Sequence, residues 1–501
     1  MSRHVLDLFA IGTLALVAGC PDRSISEVTT VASPVAVKEI PVSADIDILF
    51  VIDNSASTAD KQTIFASNFP NFVTALDAFT TGRPNLHMGV VDSTVDLGVN
   101  LSGCPSPNNT DNGLLQNSPR VANCTPPTGR FISDLAGNGS GAPRQTNYTG
   151  TLDQALSCIA QVGALGCGFE APLEGMKRAL DPAGPAAAIN TDFVRDGAYL
   201  AVIILTDEDD ASLKPGMNGW ATPSPTSDFV LQPFYAYNCD QPIGSGGGSA
   251  TYTNCKPRTD SYLQDPAFYS SFLAGVKDPA RTVVAVIGAP PPHFSTNDNP
   301  PLTAGTTPNT FSEITVGSLT LGSQPQDPAL LASCSATING DSAIGRPGVR
   351  LASFLSAYGD RGRYYSVCQG DYSAALKDIG STLFNAISPC LEGAIDPADA
   401  DPNNPGTQLQ CVLNDVLNLG GSDATQTPIP ACKMVNQANT VMDCTTAPCP
   451  DPAGARPCWW TDQNPTECPA PDTGYELRIE RSMPAATGTT VDVQCAVLPQ
   501  G

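Results

Sequence analysis

The sequence predicts an α/β fold: a doubly wound, mostly parallel sheet of the Rossmann type, followed by a small disulfide-rich β module at the C-terminus. Three observations predict it. Two short apolar runs, Ile46 with Ile48 to Ile52 and the continuous Tyr199 to Leu205, have the length and β-branched content of strands, the second of them buried on both faces. Around them, apolar residues at helical spacing alternate with further strand patterns, the order that builds a parallel sheet. From Cys390 onward the composition changes, with eight Cys, Cys390 included, and many Pro.

Taken in order, a strand is expected from Asp45 to Asp53. A helix is expected from Ala59 to Phe79, because Phe65, Phe69, Phe72, Leu76 and Phe79 recur at helical spacing. The next strand spans Leu86 to Val91. Residues 102–148 are rich in Gly, Pro, Asn and Ser and read as a surface insertion rather than core. Helices follow near Leu152 to Ala160 and Pro172 to Leu180, then the strand Tyr199 to Leu205. Residues 212–262 are a second loop-rich insertion containing the flexible segment Gly244 to Ser249. A helix at Pro266 to Val276 leads to a strand at Thr282 to Gly288, and 289–345 is again mostly loop. The pattern closes with a helix at Val349 to Tyr358, a strand at Tyr364 to Cys368, and an amphipathic helix from Tyr372 to Ile387. The domain thus runs over 45–389. The C-terminal module covers 390–501, with one clear strand pair, Tyr475 to Arg478 and Val491 to Val497.

The N-terminus points to export. Arg3 and His4 precede an apolar stretch from Leu8 to Ala18, too short to span a bilayer and of signal-peptide length. Its end, Val17-Ala18-Gly19-Cys20, resembles the bacterial lipobox, which implies cleavage after residue 19 and acylation of Cys20; a plain secretory signal is the other reading. Residues 20–44 lack periodicity and read as a tether. Setting Cys20 aside leaves sixteen Cys of seventeen, eight on each side of residue 389. An even count in each half suits two separately stapled units in an oxidising compartment. Cys104 with Cys124, Cys158 with Cys167, and Cys239 with Cys255 are the cheapest loops to close; Cys334 and Cys368 complete the first set. Thiolate metal ligation finds no CxxC repeat or paired His. With 25 basic and 49 acidic residues the net charge is -24, which repels nucleic acid and anionic lipid and keeps a loop-rich chain soluble.

Asp53-Asn54-Ser55-Ala56-Ser57 is the most informative motif. A carboxylate and two hydroxyls just past a buried strand offer hard oxygens for a divalent cation. Helix N-capping is the competing account, although a cap needs one such residue and the motif has three. The second buried strand ends in Thr206-Asp207-Glu208-Asp209-Asp210, read either as a further source of carboxylate ligands, with room for a second cation at residues 208–210, or as a solvated acidic turn. Asp92, just past another strand, belongs to the same sheet edge and reads as a turn residue.

The strand ending in Asp53-x-Ser55-x-Ser57, the later strand ending in Thr206-Asp207, and the alternating elements between them resemble a von Willebrand factor A domain, in particular the cysteine-rich, lipid-anchored members of myxobacteria and their relatives. The resemblance covers 45–389. It implies a metal-ion-dependent adhesion site, with Ser55 and Ser57 as direct ligands of Mg²⁺ or Ca²⁺, Asp53 and Asp207 as carboxylates acting directly or through water, and an open position for an acidic group of a partner. The family's Thr from an intervening loop has no counterpart in Gly166 to Leu173, where Glu170 is the nearest oxygen donor and a candidate substitute.

Enzymatic motifs are missing: there is no HExxH, GxSxG or phosphate loop, and only His87 and His293 follow the signal. The expected protein is a non-enzymatic, lipid-anchored envelope component, facing either the periplasm or the outside, that holds an acidic protein or glycan ligand. A structural scaffold with a metal-free site is the alternative. Trp459-Trp460 reads either as a binding surface or as a cover over a thin core.

Overall fold

The computed structural model describes residues 35–41, 45–78, 83–96, 104, 111–137, 142–215, 235–243, 249–290, 302–303, 313–321, 324–338, 341–387, 390–391, 394–417, 424–435, 457–463, 468, 474–481 and 489–498. The signal segment, Cys20, His293, Cys444 and Cys449 lie outside them.

The predicted central sheet is present. Its strands are β1 (Asp45–Ile52), β2 (Asn85–Asp92), β3 (Ile132–Leu135), β4 (Gln145–Thr146), β5 (Tyr199–Leu205), β6 (Thr282–Gly288), β7 (Leu302–Thr303) and β8 (Gly362–Ser366). They lie in the order β7-β8-β6-β5-β1-β2-β3-β4. The five central strands are parallel, and antiparallel strands finish each edge. From β1 the chain moves out to β2 and then returns past β1 to β5, so the winding reverses at β1. Open α/β sheets bind ligands at such a reversal, beyond the carboxyl ends of the strands. The register supports this: Ile52 is level with both Asp92 and Leu205, which brings the residues after β1, β2 and β5 to one edge.

Alternate residues of β1 face opposite layers, as the period of two requires. Ile48, Phe50 and Ile52 pack with helices α1 (Ala59–Ser67), α2 (Phe69–Asp77), α3 (Leu152–Ala160) and α7 (Ser373–Ile387). Leu49 and Val51 pack with α4 (Pro172–Leu180), α5 (Pro266–Val276) and α6 (Val349–Leu355). Phe50 anchors the first layer, meeting Phe65, Phe69 and Phe72 edge to face with centroids 5.8–6.0 Å apart.

Several expectations need correction. The helix expected over 59–79 is two helices broken at Asn68, because Pro70 in the first turn of α2 cannot donate to the turn before it. The 102–148 stretch is not wholly surface: β3 and β4 extend the sheet, and Leu115 and Ile132 are fully buried. Residues 289–345 contribute β7 and two antiparallel hairpins, Ile314–Leu321 with Gln324–Leu330 and Cys334–Ile338 with Asp341–Gly345. The presumed tether supplies a strand, Val35–Pro41, paired antiparallel with Thr489–Ala496. The two C-terminal strands expected to pair with each other do not. Tyr475–Glu480 pairs with Cys458–Gln463, while Thr489–Ala496 lies between Val35–Pro41 and Cys411–Leu417.

Seven disulfides join described residues, four before residue 389 and three after it, and none of them crosses between the halves. Cys239 bridges Cys255 and Cys334 bridges Cys368, but Cys104 pairs with Cys167 and Cys124 with Cys158. Loop length ranks only the entropy of the unfolded chain, whereas the fold brings Cys124 to Cys158 in the last turn of α3 and Cys104 to Cys167 in the loop that follows it. Cys390, just past α7, is bridged to Cys468. Trp459 is a core residue at 4% exposure, which favours the cover reading for that ring.

Candidate metal centre

The end of β1 forms a turn in which the chain's own backbone fixes the motif. Asp53 N–H donates to the Leu205 carbonyl at 2.9 Å, and Ser93 N–H to that of Ile52 at 3.1 Å, so the three strand ends are tied together. Asp53 is fully buried. Its carboxylate accepts the Ser55 N–H at 2.8 Å and the Thr206 hydroxyl at 2.9 Å, with the Ser93 hydroxyl at 3.4 Å. Gln62 donates to the Asp53 carbonyl at 2.7 Å.

The serine hydroxyls are turned away from any capping role. Neither Ser55, which precedes the short 3-10 turn Ala56–Thr58, nor Thr58, which precedes α1, makes a side-chain capping bond. Instead Ser55 Oγ and Ser57 Oγ lie 3.0 Å apart, and Ser57 Oγ donates to Asp207 Oδ1 at 3.0 Å. Adjacent ligands of an octahedral Mg²⁺ at its usual bond length are separated by about 3 Å. Two edges of that figure are therefore already drawn by hard oxygens. Ser57 is exposed, while Asp53, Ser55 and Asp207 are buried behind it, so the cluster opens to solvent on one side.

Electrostatics favours a cation here. Burial raises the pKa of Asp53, and the neighbouring Asp207 charge raises it further. Burial also raises that of Asp207, offset mainly by Lys61 and reinforced by Glu208. Two carboxylates held this close in a dry setting are stabilised in their charged form by a positive ion. By its donor chemistry the residue set fits Mg²⁺ or Ca²⁺. Among the described residues no group of three or more His, Cys, Asp or Glu is arranged to hold a metal; this cluster differs in kind, since hydroxyls supply half of its side-chain ligands.

Lys61 was not foreseen. Its ammonium lies 3.0 Å from Asp207 Oδ2 and 2.7 Å from the Ser57 carbonyl, with the side chain 1% exposed. The signal was available, since Lys61 follows Ser57 by four residues and one helical turn folds it back over the motif. Ser93 and Thr206, the other hydroxyls on Asp53, gave no such signal because only the register of three strands brings them together.

The acidic run after β5 is not a solvated turn, for all four residues are buried. Glu208 pairs with Arg346. Asp209 accepts the Arg350 and Leu351 N–H groups at 2.8 and 3.1 Å, capping α6, and the Tyr237 hydroxyl at 2.9 Å. Asp210 pairs with the fully buried Arg350 at 3.1 Å. With these three carboxylates engaged, residues 208–210 offer no second cation site. Asp92 is likewise buried, accepting from Asn54 at 2.9 Å and from Arg120 at 3.4 Å.

Glu170 is buried in the loop between α3 and α4. That loop is seated on the motif: Gly166 N–H donates to the Asn54 carbonyl at 2.7 Å, Cys167 N–H to Thr94 Oγ1 at 2.9 Å, and Ala171 N–H to the Ser93 carbonyl at 3.1 Å. A Cβ at Gly166 would fall 2.0 Å from Asn54 Oδ1, so only glycine permits the approach.

No protein-family model matches the chain, and no curated protein matches it. Among solved structures it is similar to the pilus adhesin SpaC of Lactobacillus rhamnosus GG, at 11% identity and a TM-score of 0.30, over 92% of this chain and 41% of that one. It is similar to a von Willebrand factor type A protein of Catenulispora acidiphila, at 8% identity and a TM-score of 0.27, over 93% of this chain and 66% of the other. For the pilus adhesin RrgA of Streptococcus pneumoniae the values are 11% and 0.23, over 92% and 57%. The chain thus spans about two fifths of the first of these proteins. Likenesses this distant leave the functional reading to rest on the residues of the site.

Proposed function

We propose that the chain is a von Willebrand factor A-type envelope protein, without enzymatic activity, that uses one divalent cation to hold an acidic group of a protein or glycan partner. The observation that carries this reading is the convergence of Ser55, Ser57 and Asp207 oxygens at 3.0 Å spacing above the buried Asp53, at the reversal point of the sheet. When bound, Mg²⁺ or Ca²⁺ would supply the positive charge that an acidic ligand seeks. Ser55, Ser57, Asp207 and Asp53 would hold it, with Glu170 as a candidate fifth oxygen. Seven disulfides suit an oxidising compartment, and acylation at Cys20 would tether the chain to a membrane. No described helix is long and apolar enough to cross one.

Calorimetric titration of Mg²⁺ and Ca²⁺ into the folded chain tests the site. One-site binding that is lost in Asp53→Ala and in Ser55→Ala is the expected result; heats that are absent, or unchanged by both substitutions, refute the reading. One observation favours a second reading, a scaffold with a metal-free site: the Lys61 ammonium already neutralises Asp207. Under that reading the titration shows no binding and Lys61→Met destabilises the protein without metal being able to restore it. Mass spectrometry of the mature N-terminus tests the anchor, which requires a diacylated or triacylated Cys20.

A further inference from the structure

We propose that Lys61 is a positioning residue that sets the cation affinity of the site: a resident positive charge that weakens divalent-metal binding and leaves the loaded site one unit more positive toward its acidic ligand than its carboxylates alone would. The inference rests on the metal reading above and concerns what this chain adds to it.

The geometry separates the two oxygens of Asp207. Oδ1 faces the serine hydroxyls, accepting from Ser57 at 3.0 Å, while Oδ2 is held by Lys61 Nζ at 3.0 Å. Lys61 therefore shares a ligand with the metal position without filling it. The ammonium is fixed from three sides, by Asp207, by the Ser57 carbonyl at 2.7 Å and by Asp60 at 3.4 Å, and its side chain is 1% exposed. A charge so placed, on the first turn of α1 and shielded from solvent, acts across a few ångströms with little screening.

Charge counting gives the direction. The negative charge of the site comes from Asp53 and Asp207, with Asp60 beside the ammonium and Glu170 in the adjoining loop, and Lys61 makes that total one unit less negative. A divalent cation therefore leaves the site one unit more positive in this chain than it would be without the lysine. Repulsion between the ammonium and the incoming metal lowers metal affinity. The surplus positive charge favours a carboxylate at the open position. Asp60, partly exposed, is the remaining charged group facing the ammonium on α1, and Asp207 is the one facing it from the strand side.

The test is calorimetric titration of MgCl₂ and of CaCl₂, at one fixed pH, into the full mature chain and into its Lys61→Met and Lys61→Gln variants. The expected result is a Kd lower by about tenfold or more in both variants. A purely structural role for Lys61 would weaken metal binding on removal, so the sign separates the two. Binding by the parent chain with Kd unchanged or raised in the variants overturns the inference and leaves the metal site standing. An absence of binding in all three chains overturns both. Should both variants stay unfolded even with Mg²⁺ present, Lys61 is required for the fold itself and the inference falls.

Discussion

At the residue scale, the buried charges are the part of the chain most sensitive to change. Arg350 is fully buried, donating to the Asp210 carbonyl at 2.7 Å and its carboxylate at 3.1 Å. Arg350→Ala strands Asp210 in the interior and is expected to cost about 3–5 kcal/mol, read as a lowered midpoint in denaturant; a loss below about 1 kcal/mol would contradict the buried pair. His87 offers a pH test. Burial, with Arg195 adding to it, lowers its pKa, and Nδ1–H donates to the Phe193 carbonyl at 3.0 Å. The unfolded chain takes up this proton first as pH falls, so the contribution of His87 is full above about 6.5 and is lost as pH drops below that value. Asp47, raised to about 6 by burial, acts with the opposite sign but is common to both chains in a comparison with His87→Gln. The stability difference between parent and His87→Gln should therefore shrink from pH 7.5 to pH 5, and a constant difference would refute the assignment. The motif Asp53, Ser55 and Ser57 was legible because three oxygen donors after a buried strand exceed what a cap needs. Lys61, Ser93 and Thr206 were harder to see, since two of the three act only through strand register.

At the element scale, legibility followed burial. β5 is a continuous apolar run, as are residues 48–52 of β1 and 283–287 of β6; both helical layers close them in, and their sequence shows it. The helices α3, α4 and α5 begin and end where apolar spacing and Pro predict. Val35–Pro41 was hidden because Lys38 and Glu39 interrupt its alternation, and the hairpins within 313–345 because Gly, Pro and polar residues dominate them. Such strands are specified by pairing partners rather than by their own pattern. The packing of α2 is a direct test of the first layer. Phe72 is fully buried against Phe50, and Phe72→Ala is expected to cost about 3–5 kcal/mol in equilibrium unfolding. A cost under about 1 kcal/mol would mean that α2 does not pack on the sheet.

At the scale of the whole molecule, the seven disulfides among the described residues suit a compartment outside the reducing cytosol. The Cys104–Cys167 bridge joins the segment before β3 to the loop seated on the candidate site, so it constrains the site as well as the fold. Cys104→Ser with Cys167→Ser is expected to destabilise by about 2–5 kcal/mol and to weaken metal binding, whereas removing Cys432–Cys458, in a separate cluster of the C-terminal half, should leave metal binding unchanged. Equal effects on metal binding would contradict this division. The net charge of -24 favours cations over nucleic acid overall, and among the described residues the edge where β1 and β5 end sets the oxygens of Ser55, Ser57 and Asp207 at metal-ligand spacing. The most direct test of that centre is anomalous scattering from crystals of the chain grown with Mn²⁺. A single peak within bonding distance of Ser55, Ser57 and Asp207 is the predicted result. Full-occupancy Mn²⁺ elsewhere with no peak at the end of β1, and Lys61 still on Asp207, would contradict it.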